Sequence, residues 1–333
     1  MILKRNAKCP YDIVVDRGLL QNIGQLLDLD RKVLLLTDDG VPEEYALVVE
    51  KACKNCVTVR IKQGEASKNF DNFKYILSVM LQNGFTRKDC VVALGGGVVG
   101  DLAGFVASCY MRGVDFYNIP TTLLSQLDSS IGGKTAIDFE GVKNVVGSFY
   151  QPSKVIIDVD TLDTLEKRQL HAGLVEAIKM AATSDKNLFE RIEKSENLKD
   201  DLLEIVQASL AIKKDVVEKD PKEKGLRKVL NFGHTLGHAI ESEQKGALLH
   251  GECVGIGMLP MCSEEVEKRL EKVLKKYDLP TAANCDKNEL LRLMTHDKKA
   301  DGIKIRTVVV NEIGLFEFAD MTAKEILDRE DRL

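Results

Sequence analysis

The apolar positions of this chain follow two rhythms. In the first half, runs of strand length at Val33–Leu36, Cys56–Ile61 and Val91–Leu94 alternate with stretches of helical spacing, one from about Pro42 and one through Phe73–Leu81. A βαβ rhythm of this kind predicts a parallel sheet. A further run, Val155–Val159, follows Tyr150, Gln151 and Pro152 and leads into longer amphipathic stretches, such as Leu198–Val217 and Glu264–Tyr277, which read as helices. Late in the chain, Val308 and Phe316 sit in two short β-like runs around Gly314 and predict a small hairpin attached to the helical part. The pattern therefore predicts an α/β N-terminal domain with a parallel, Rossmann-like sheet over residues 1–152, and a mainly α-helical C-terminal domain over residues 153–333. No repeat, low-complexity tract or long linker separates them, so the halves are expected to pack tightly and leave a cleft.

One stretch imitates a membrane span. From Val91 to Met111 the only charge is Asp101, at the centre, where a carboxylate would cost roughly 2.5–3.5 kcal/mol on insertion scales. Gly95, Gly96, Gly97 and Gly100 precede it, so the stretch reads as a buried strand, a tight glycine loop and a buried helix of a soluble protein. Charge adds an exclusion: 47 basic against 52 acidic residues leave a net charge of −5 with no block of five like charges, which argues against a nucleic-acid or acidic-membrane binder. Eight scattered cysteines and no signal-like start point to reduced thiols and a cytoplasmic protein. Cys53 and Cys56 form a CxxC, but no second pair follows at zinc-site spacing and their neighbours are polar, so the pair is expected to be incidental and surface-like.

Gly95, Gly97 and Gly100 match G-x-G-x-x-G between a strand pattern and a helix pattern. Such glycines let the backbone approach a pyrophosphate, and the helix start offers N–H groups and partial positive charge. Two features depart from the dinucleotide fingerprint: the preceding strand is expected to be the third rather than the first, and no clear acidic residue stands about 20 positions on. The loop is left open between dinucleotide binding and a structural turn. A second cluster, Ile131 to Thr135, ends like a P-loop, but Asp128 stands where that motif needs its first glycine. Lys134 remains either an anion ligand or an ordinary loop lysine.

Of five histidines, His234, His238 and His250 are clustered, with Glu241 and Glu252 close by. That concentration points to a metal. His234 and His238 are four apart and would share a helix face, so spacing alone makes both of them ligands; structural histidines bonded to backbone or carboxylates are the alternative. No H-E-x-x-H supports a zinc protease. Glu176 sits among small and apolar residues, and an inward-pointing carboxylate needs a partner, for which a metal would serve.

Together these segments closely resemble the 3-dehydroquinate synthase family of sugar-phosphate cyclases over nearly the whole chain. The resemblance rests on GGGVVGD from Gly95, PTTLLSQLDSSIGGKTAI from Pro120, GLVEAIK from Gly173, RKVLNFGHTLGHAIE from Arg227, HGECVGIGM from His250 and DKK from Asp297. It implies a dehydroquinate synthase-like fold with NAD in the α/β domain and one divalent metal, zinc or cobalt, in the helical domain. Glu176, His234 and His250 become the metal ligands, which turns His238 from a ligand into a substrate-facing acid/base residue. The implied NAD contacts are Asp38, Glu65, Lys68, Gly97, Val98, Val99, Gly100, Asp101, Thr121, Thr122, Lys134, Lys143, Thr161, Leu162, Asp163 and Thr164.

The family's substrate is 3-deoxy-D-arabino-heptulosonate 7-phosphate, converted to 3-dehydroquinate and phosphate in the shikimate pathway of aromatic amino acid biosynthesis. The implied cycle is transient oxidation by NAD, phosphate elimination, re-reduction and aldol cyclisation. Lys134 and Asn144, with His238, would surround the phosphate, while Lys179, Lys213, Arg227 and Asn231 would hold the carboxylate and hydroxyls. Asp128 would orient neighbouring groups, Arg112 would reach the phosphate site of the other subunit of a homodimer, and Lys298 and Lys299 would supply a further cation. The chain departs from the family in a shortened segment between Met258 and Glu264, in Gly40 near the adenosine position, and in Asp220-Pro221. Two other activities fit less well. A 2-deoxy-scyllo-inosose synthase-type cyclase acts on a substrate without the carboxylate that Arg227 and Lys213 suit, and metal-dependent NAD alcohol or glycerol dehydrogenases lack the LNFGHTLGHAIE pattern.

Overall fold

The computed structural model describes residues 2–4, 11–220, 223–295 and 304–329. The chain divides into two compact units, with the division between Leu165 and Glu166. In chain order the first unit contains β1 (Ile2–Lys4), β2 (Asp12–Asp16), α1 (Ile23–Leu26), β3 (Lys32–Asp38), α2 (Glu43–Ala52), β4 (Asn55–Ile61), α3 (Phe70–Gln82), β5 (Cys90–Gly95), α4 (Gly97–Cys109), β6 (Asp115–Pro120), β7 (Lys134–Phe139), β8 (Val142–Phe149) and β9 (Lys154–Asp158).

Among the described residues, seven strands form one sheet in the order β1-β2-β9-β6-β5-β3-β4. β1 runs antiparallel on β2, and every other neighbouring pair is parallel. Strands β3 and β5 are continuous apolar runs because both faces of the sheet are covered: Leu34, Leu36, Val91 and Ala93 join one buried cluster, and Val33, Leu35, Val92 and Leu94 join another. Helix α4 buries Leu102, Ala103 and Val106 in the first of these clusters. The stretch that imitated a membrane span is thus β5, a glycine turn and α4, and no helix among the described residues is long and apolar enough to cross a membrane.

Four expectations are corrected. The glycine loop follows the fifth strand rather than the third, because β1 and β2 add a short antiparallel edge ahead of the apolar runs. The division falls after Leu165 rather than Pro152, because β9 inserts between β2 and β6 and completes the first unit's sheet. Lys134 does not lie in a loop but opens β7, which forms an antiparallel hairpin with β8. Cys53 and Cys56 are half-buried and pack against the second apolar cluster.

The second unit contains α5 (Lys167–Ser184), α6 (Lys186–Lys194), α7 (Leu198–Lys219), α8 (His234–Gln244), α9 (His250–Met258), α10 (Glu264–Lys276), α11 (Lys287–Thr295), β10 (Lys304–Glu312), β11 (Leu315–Thr322) and α12 (Ala323–Leu327). The late hairpin forms as expected, β10 against β11, and Gly314 takes a φ of 92° at its turn. Helix α5 is the axis of this unit, buried along most of its length, with α6, α7 and α9 packed on it.

Candidate active site

The cofactor residues expected in the first unit gather along one edge of its sheet. Asp38 closes β3, Gly97 to Asp101 start α4 after β5, Thr121 and Thr122 follow β6, and Thr161, Leu162, Asp163 and Thr164 lie in the short helix Val159–Thr164 after β9. These strands are parallel, so all four segments leave the carboxyl edge. The connection after β3 runs to β4 on one side, whereas that after β5 runs to β6 on the other, and such a switch in direction opens the crevice where α/β sheets take ligands. Asp38 and the glycine turn flank it. Asp38 stands upstream of the loop on the adjacent strand, not about 20 positions downstream where a spacing rule would look. Its carboxylate accepts from the N–H groups of Gly40, at 2.9 Å, and Val41, at 3.2 Å. Gly96 has no side chain to cap α4, and a Cβ added to Gly97 would lie 3.0 Å from the Ser129 hydroxyl.

Lys68 collects a second group. Its ammonium lies 2.8 Å from Asp101 Oδ2 and 3.4 Å from Glu65 Oε1, and it donates to Asn144 Oδ1. Burial pushes the Asp101 carboxyl up to about 6 against the pull of Lys68. Burial also works to discharge Lys68, but Asp101 and Glu65 outweigh it and hold the ammonium above its usual range. Lys134 and Asn144, expected together, sit at opposite ends of the β7–β8 hairpin: Lys134 pairs with Phe149, while the Asn144 N–H donates to Asp138 at 2.8 Å. Lys143 is exposed beside Asn144, Asp128 lies in the π-helical turn Ser125–Ser129, and Arg112 is exposed after α4 with a φ of 66°.

In the second unit, α5 carries Glu176 and Lys179, α7 carries Lys213, the short helix Leu226–Asn231 carries Arg227 and Asn231, and α8 and α9 carry His234, His238 and His250. Glycines bring these helices into contact. A Cβ on Gly251 would lie 1.9 Å from the Ala172 carbonyl oxygen, and one on Gly257 would lie 2.2 Å from that of Gly233. Such approaches of backbone to backbone are open only to residues without a side chain.

The result is a cluster of three imidazoles, one donor atom from each lying within 4.8 Å of the others, around the buried Glu176 carboxylate. His234 Nδ1 lies 3.1 Å from the Phe232 carbonyl and His250 Nδ1 lies 2.8 Å from Glu241 Oε2; both partners only accept, so each Nδ1 donates, and in the neutral ring that a metal requires each Nε2 keeps its lone pair. Both Nε2 atoms lie 3.7 Å from the same Glu176 Oε1. That is too long for a hydrogen bond, yet near the roughly 3.3 Å that separates two ligands on a tetrahedral ion with bonds of about 2.0–2.1 Å. Neither oxygen of Glu176 has a hydrogen bond of ordinary geometry, although Lys179 forms an ion pair with Oε2. Burial alone would raise this carboxyl, but Lys179 and the two histidines hold it well below the usual carboxylate range. Burial pushes His234 down to about 3; at His250 burial is outweighed by Glu176 and Glu241, which bring it to about 9. An orphaned buried carboxylate oxygen faced by two oriented imidazoles fits a divalent ion. His238 belongs to the same cluster by distance but is the exposed member, and Glu176 faces the other two.

A family model for the 3-dehydroquinate synthase N-terminal domain matches residues 58–172, and one for the C-terminal domain matches residues 173–300. The 3-dehydroquinate synthase of Enterococcus faecalis is 40% identical over 344 residues, covering 96% of either chain. The chain belongs to the 3-dehydroquinate synthase family. A second member of this synthase family, from Clostridium acetobutylicum, is 42% identical over 325 residues and 91% of either chain. Among solved structures, 2-epi-5-epi-valiolone synthase from Streptomyces hygroscopicus, with NAD+ and Zn2+ bound, gives a TM-score of 0.86 at 27% identity, covering 96% of this chain and 95% of that one. The 2-deoxy-scyllo-inosose synthase complexed with carbaglucose-6-phosphate, NAD+ and Co2+ shares the fold, with a TM-score of 0.89 at 23% identity over 100% and 99% of the two chains. Both bear out the expected dehydroquinate synthase-like fold.

Two features escaped the reading of the synthase motifs. Glu241 was visible only as a carboxylate near His250, and its role in orienting that imidazole needed the α8–α9 packing. Asp220 accepts from the N–H groups of Gly225, Arg227 and Lys224 and so ties down the approach to Arg227. Lys298 and Lys299 lie outside the described residues.

Proposed function

We propose that the chain is a phosphate-eliminating cyclase that converts 3-deoxy-D-arabino-heptulosonate 7-phosphate into 3-dehydroquinate and phosphate. The observation that carries this reading is the set of cations around the Glu176 cluster: Lys179, Lys213 and Arg227 are 2%, 3% and 6% exposed, on elements that pack against one another. A sugar acid offers a carboxylate for the planar fork of Arg227 and hydroxyls for Lys179, Lys213 and Asn231. Asn231 Nδ2 donates to Glu223 Oε1 at 2.9 Å, which orients its amide.

Glu176, His234 and His250 would hold zinc or cobalt, and the carboxyl edge of the first unit's sheet would hold NAD. When bound, these groups supply acidification of a substrate hydroxyl and reversible hydride transfer. The chain's own residues do the rest. Lys134 meets the phosphate, His238 moves a proton from the exposed side of the imidazole cluster, Asp128 orients its neighbours, and Lys298 and Lys299 add positive charge. Asn144, expected at the phosphate, has a second candidate partner in Lys68, which it already contacts. The described cysteines are free thiols, as suits a cytoplasmic protein. Exposed Phe70, Phe139, Val142, Val145 and Phe149 on and beside the β7–β8 hairpin support a homodimer, in which Arg112 serves the other subunit's phosphate.

Arg227 separates this reading from an inosose-type cyclase. Wild type should process the heptulosonate phosphate and not glucose 6-phosphate. Arg227→Lys should weaken binding of the former by about 1–3 kcal/mol, the range for a charged hydrogen bond, while leaving a carboxylate-free analogue unaffected. Equal damage to both ligands would remove the carboxylate role.

A further inference from the structure

We infer that Arg168 and Glu252 form a positioning pair that sets the register of His250 against Glu176 and thereby governs how tightly the chain holds its divalent ion, an inference that rests on the metal reading above. Neither residue touches the imidazole cluster; Arg168 was not expected at the site, and Glu252 was noted only as a carboxylate near the histidines. Their geometry nevertheless ties α5 and α9, two of the three helices that bear the proposed ligands, together.

Glu252 is the third residue of α9, two positions after His250, and it is 4% exposed. Its two oxygens accept from Arg168 Nε and Nη2, both at 2.7 Å, the bidentate arrangement in which guanidinium and carboxylate lock each other's orientation. Oε2 also accepts from the Leu249 N–H at 2.8 Å, so the same carboxylate closes the first turn of the helix that His250 begins. Arg168 Nη2 reaches further to the Ala247 carbonyl at 2.9 Å, which fastens the approach to α9 as well.

On α5, Arg168, Ala172 and Glu176 follow one another at intervals of four and so form a stripe along one side of the helix. Each level of the stripe meets the start of α9. Arg168 grips Glu252, the Ala172 backbone receives Gly251 with no room for a Cβ, and Glu176 Oε1 faces His250 Nε2 at 3.7 Å. The glycine contact fixes how close the helices come but resists sliding weakly, since Gly251 has no side chain to interlock. The bidentate pair supplies the missing directional restraint. A metal site tolerates errors of only about 0.2 Å in its ligand distances, so a small slip at the Arg168 level would be felt at Glu176.

The test is metal affinity, with the apo protein's stability as reference. Wild type, Glu252→Gln and Arg168→Lys are stripped with a chelator and titrated with Co2+ against a chromophoric competitor, and the visible Co2+ spectrum and apo thermal unfolding are recorded. Glu252→Gln keeps an acceptor for Leu249, and Arg168→Lys keeps the charge but not the fork. Glu193→Gln serves as control, because Glu193 makes a comparable bidentate contact with Arg269 in the same unit, at 3.0 and 2.7 Å. Glu252→Gln and Arg168→Lys should bind Co2+ at least about 10-fold more weakly, the lower end of the usual effect of outer-shell partners, with an altered spectrum. Glu193→Gln should bind as wild type does, even where its unfolding temperature falls equally. Wild-type affinity and spectrum in both test variants, or the same loss in Glu193→Gln, would overturn the inference. Absence of Co2+ binding to wild type would instead overturn the metal reading and this inference with it. Should Glu252→Gln fail to fold, Arg168→Lys, whose side chain is half exposed, decides.

Discussion

Gly251→Ala is the most demanding single-atom-scale test of how the ligand cluster is built. The added methyl would lie 1.9 Å from the Ala172 carbonyl oxygen, 2.7 Å from its carbon and 3.2 Å from its Cα, whereas real Cβ contacts essentially never fall below 3.0 Å. The obstacle is backbone, so it cannot swing aside, and α5 and α9 must part by more than an ångström. Overpacking of this kind typically costs about 1–3 kcal/mol, and the alanine's better helix propensity returns at most about 1 kcal/mol. The larger consequence lies at the ligands. Glu176 and His250 flank the contact on α5 and α9, and a displacement of an ångström is several times the ~0.2 Å that a metal site tolerates. Gly255→Ala, one turn further along α9, is the matched control: its methyl would meet side chains rather than backbone, the flexible end of Leu274 at 3.3 Å and Val175 Cγ1 at an ordinary 3.9 Å. Thermal unfolding of the apo proteins and zinc titration against a chelator read both effects. Gly251→Ala should be less stable than wild type and bind zinc at least about 10-fold more weakly, which is about 1.4 kcal/mol, while Gly255→Ala matches or exceeds wild type in both. Equal zinc affinity in Gly251→Ala and wild type would refute the argument that close α5–α9 packing assembles the cluster.

His250→Ala removes one of the proposed metal ligands, so bound zinc should fall from near one per chain to near none by elemental analysis, and full occupancy would reject the ligand set. The Asp220 carboxyl is held below the 3.8 of an unperturbed aspartate, first by the Gly225 N–H and then by that of Lys224. Its folded value is depressed, so its stabilisation is complete above 3.8 and fades as pH falls below it through the folded value; the stability gap between wild type and Asp220→Asn should be open above 3.8 and narrow as the pH is lowered further, as denaturant titrations at each pH would show.

The fold was legible where apolar runs and helical spacing survive in one dimension: in β3 and β5, which are buried on both faces, in β4 and in the helices between them. β8 was not legible, since Val142, Val145 and Phe149 are exposed and none of its residues is fully buried. Lys134 therefore looked like a loop residue although it starts a strand. β9 was seen as a strand but assigned to the wrong unit, because strand order in a sheet is a three-dimensional fact that the run at Val155 does not carry. At the site, the resemblance implied Glu176, His234 and His250 as ligands, whereas spacing alone made both His234 and His238 ligands. The geometry that supports the proposed set is tertiary: one carboxylate oxygen equidistant from two imidazoles whose other nitrogens are already engaged. The Arg168–Glu252 pair was invisible for the same reason, its members standing far apart in the chain.

Turnover with limiting cofactor tests the central claim most directly. The apo chain is reconstituted with zinc and given the heptulosonate phosphate with NAD at roughly one-hundredth of the substrate, because a hydride that is taken and returned leaves the cofactor unchanged. Phosphate, 3-dehydroquinate and NADH absorbance are followed together. The account predicts phosphate and 3-dehydroquinate in equal amounts, far exceeding the NAD supplied, with no steady rise in NADH. One NADH per molecule of substrate consumed, with no phosphate released, would contradict it and make the chain a dehydrogenase.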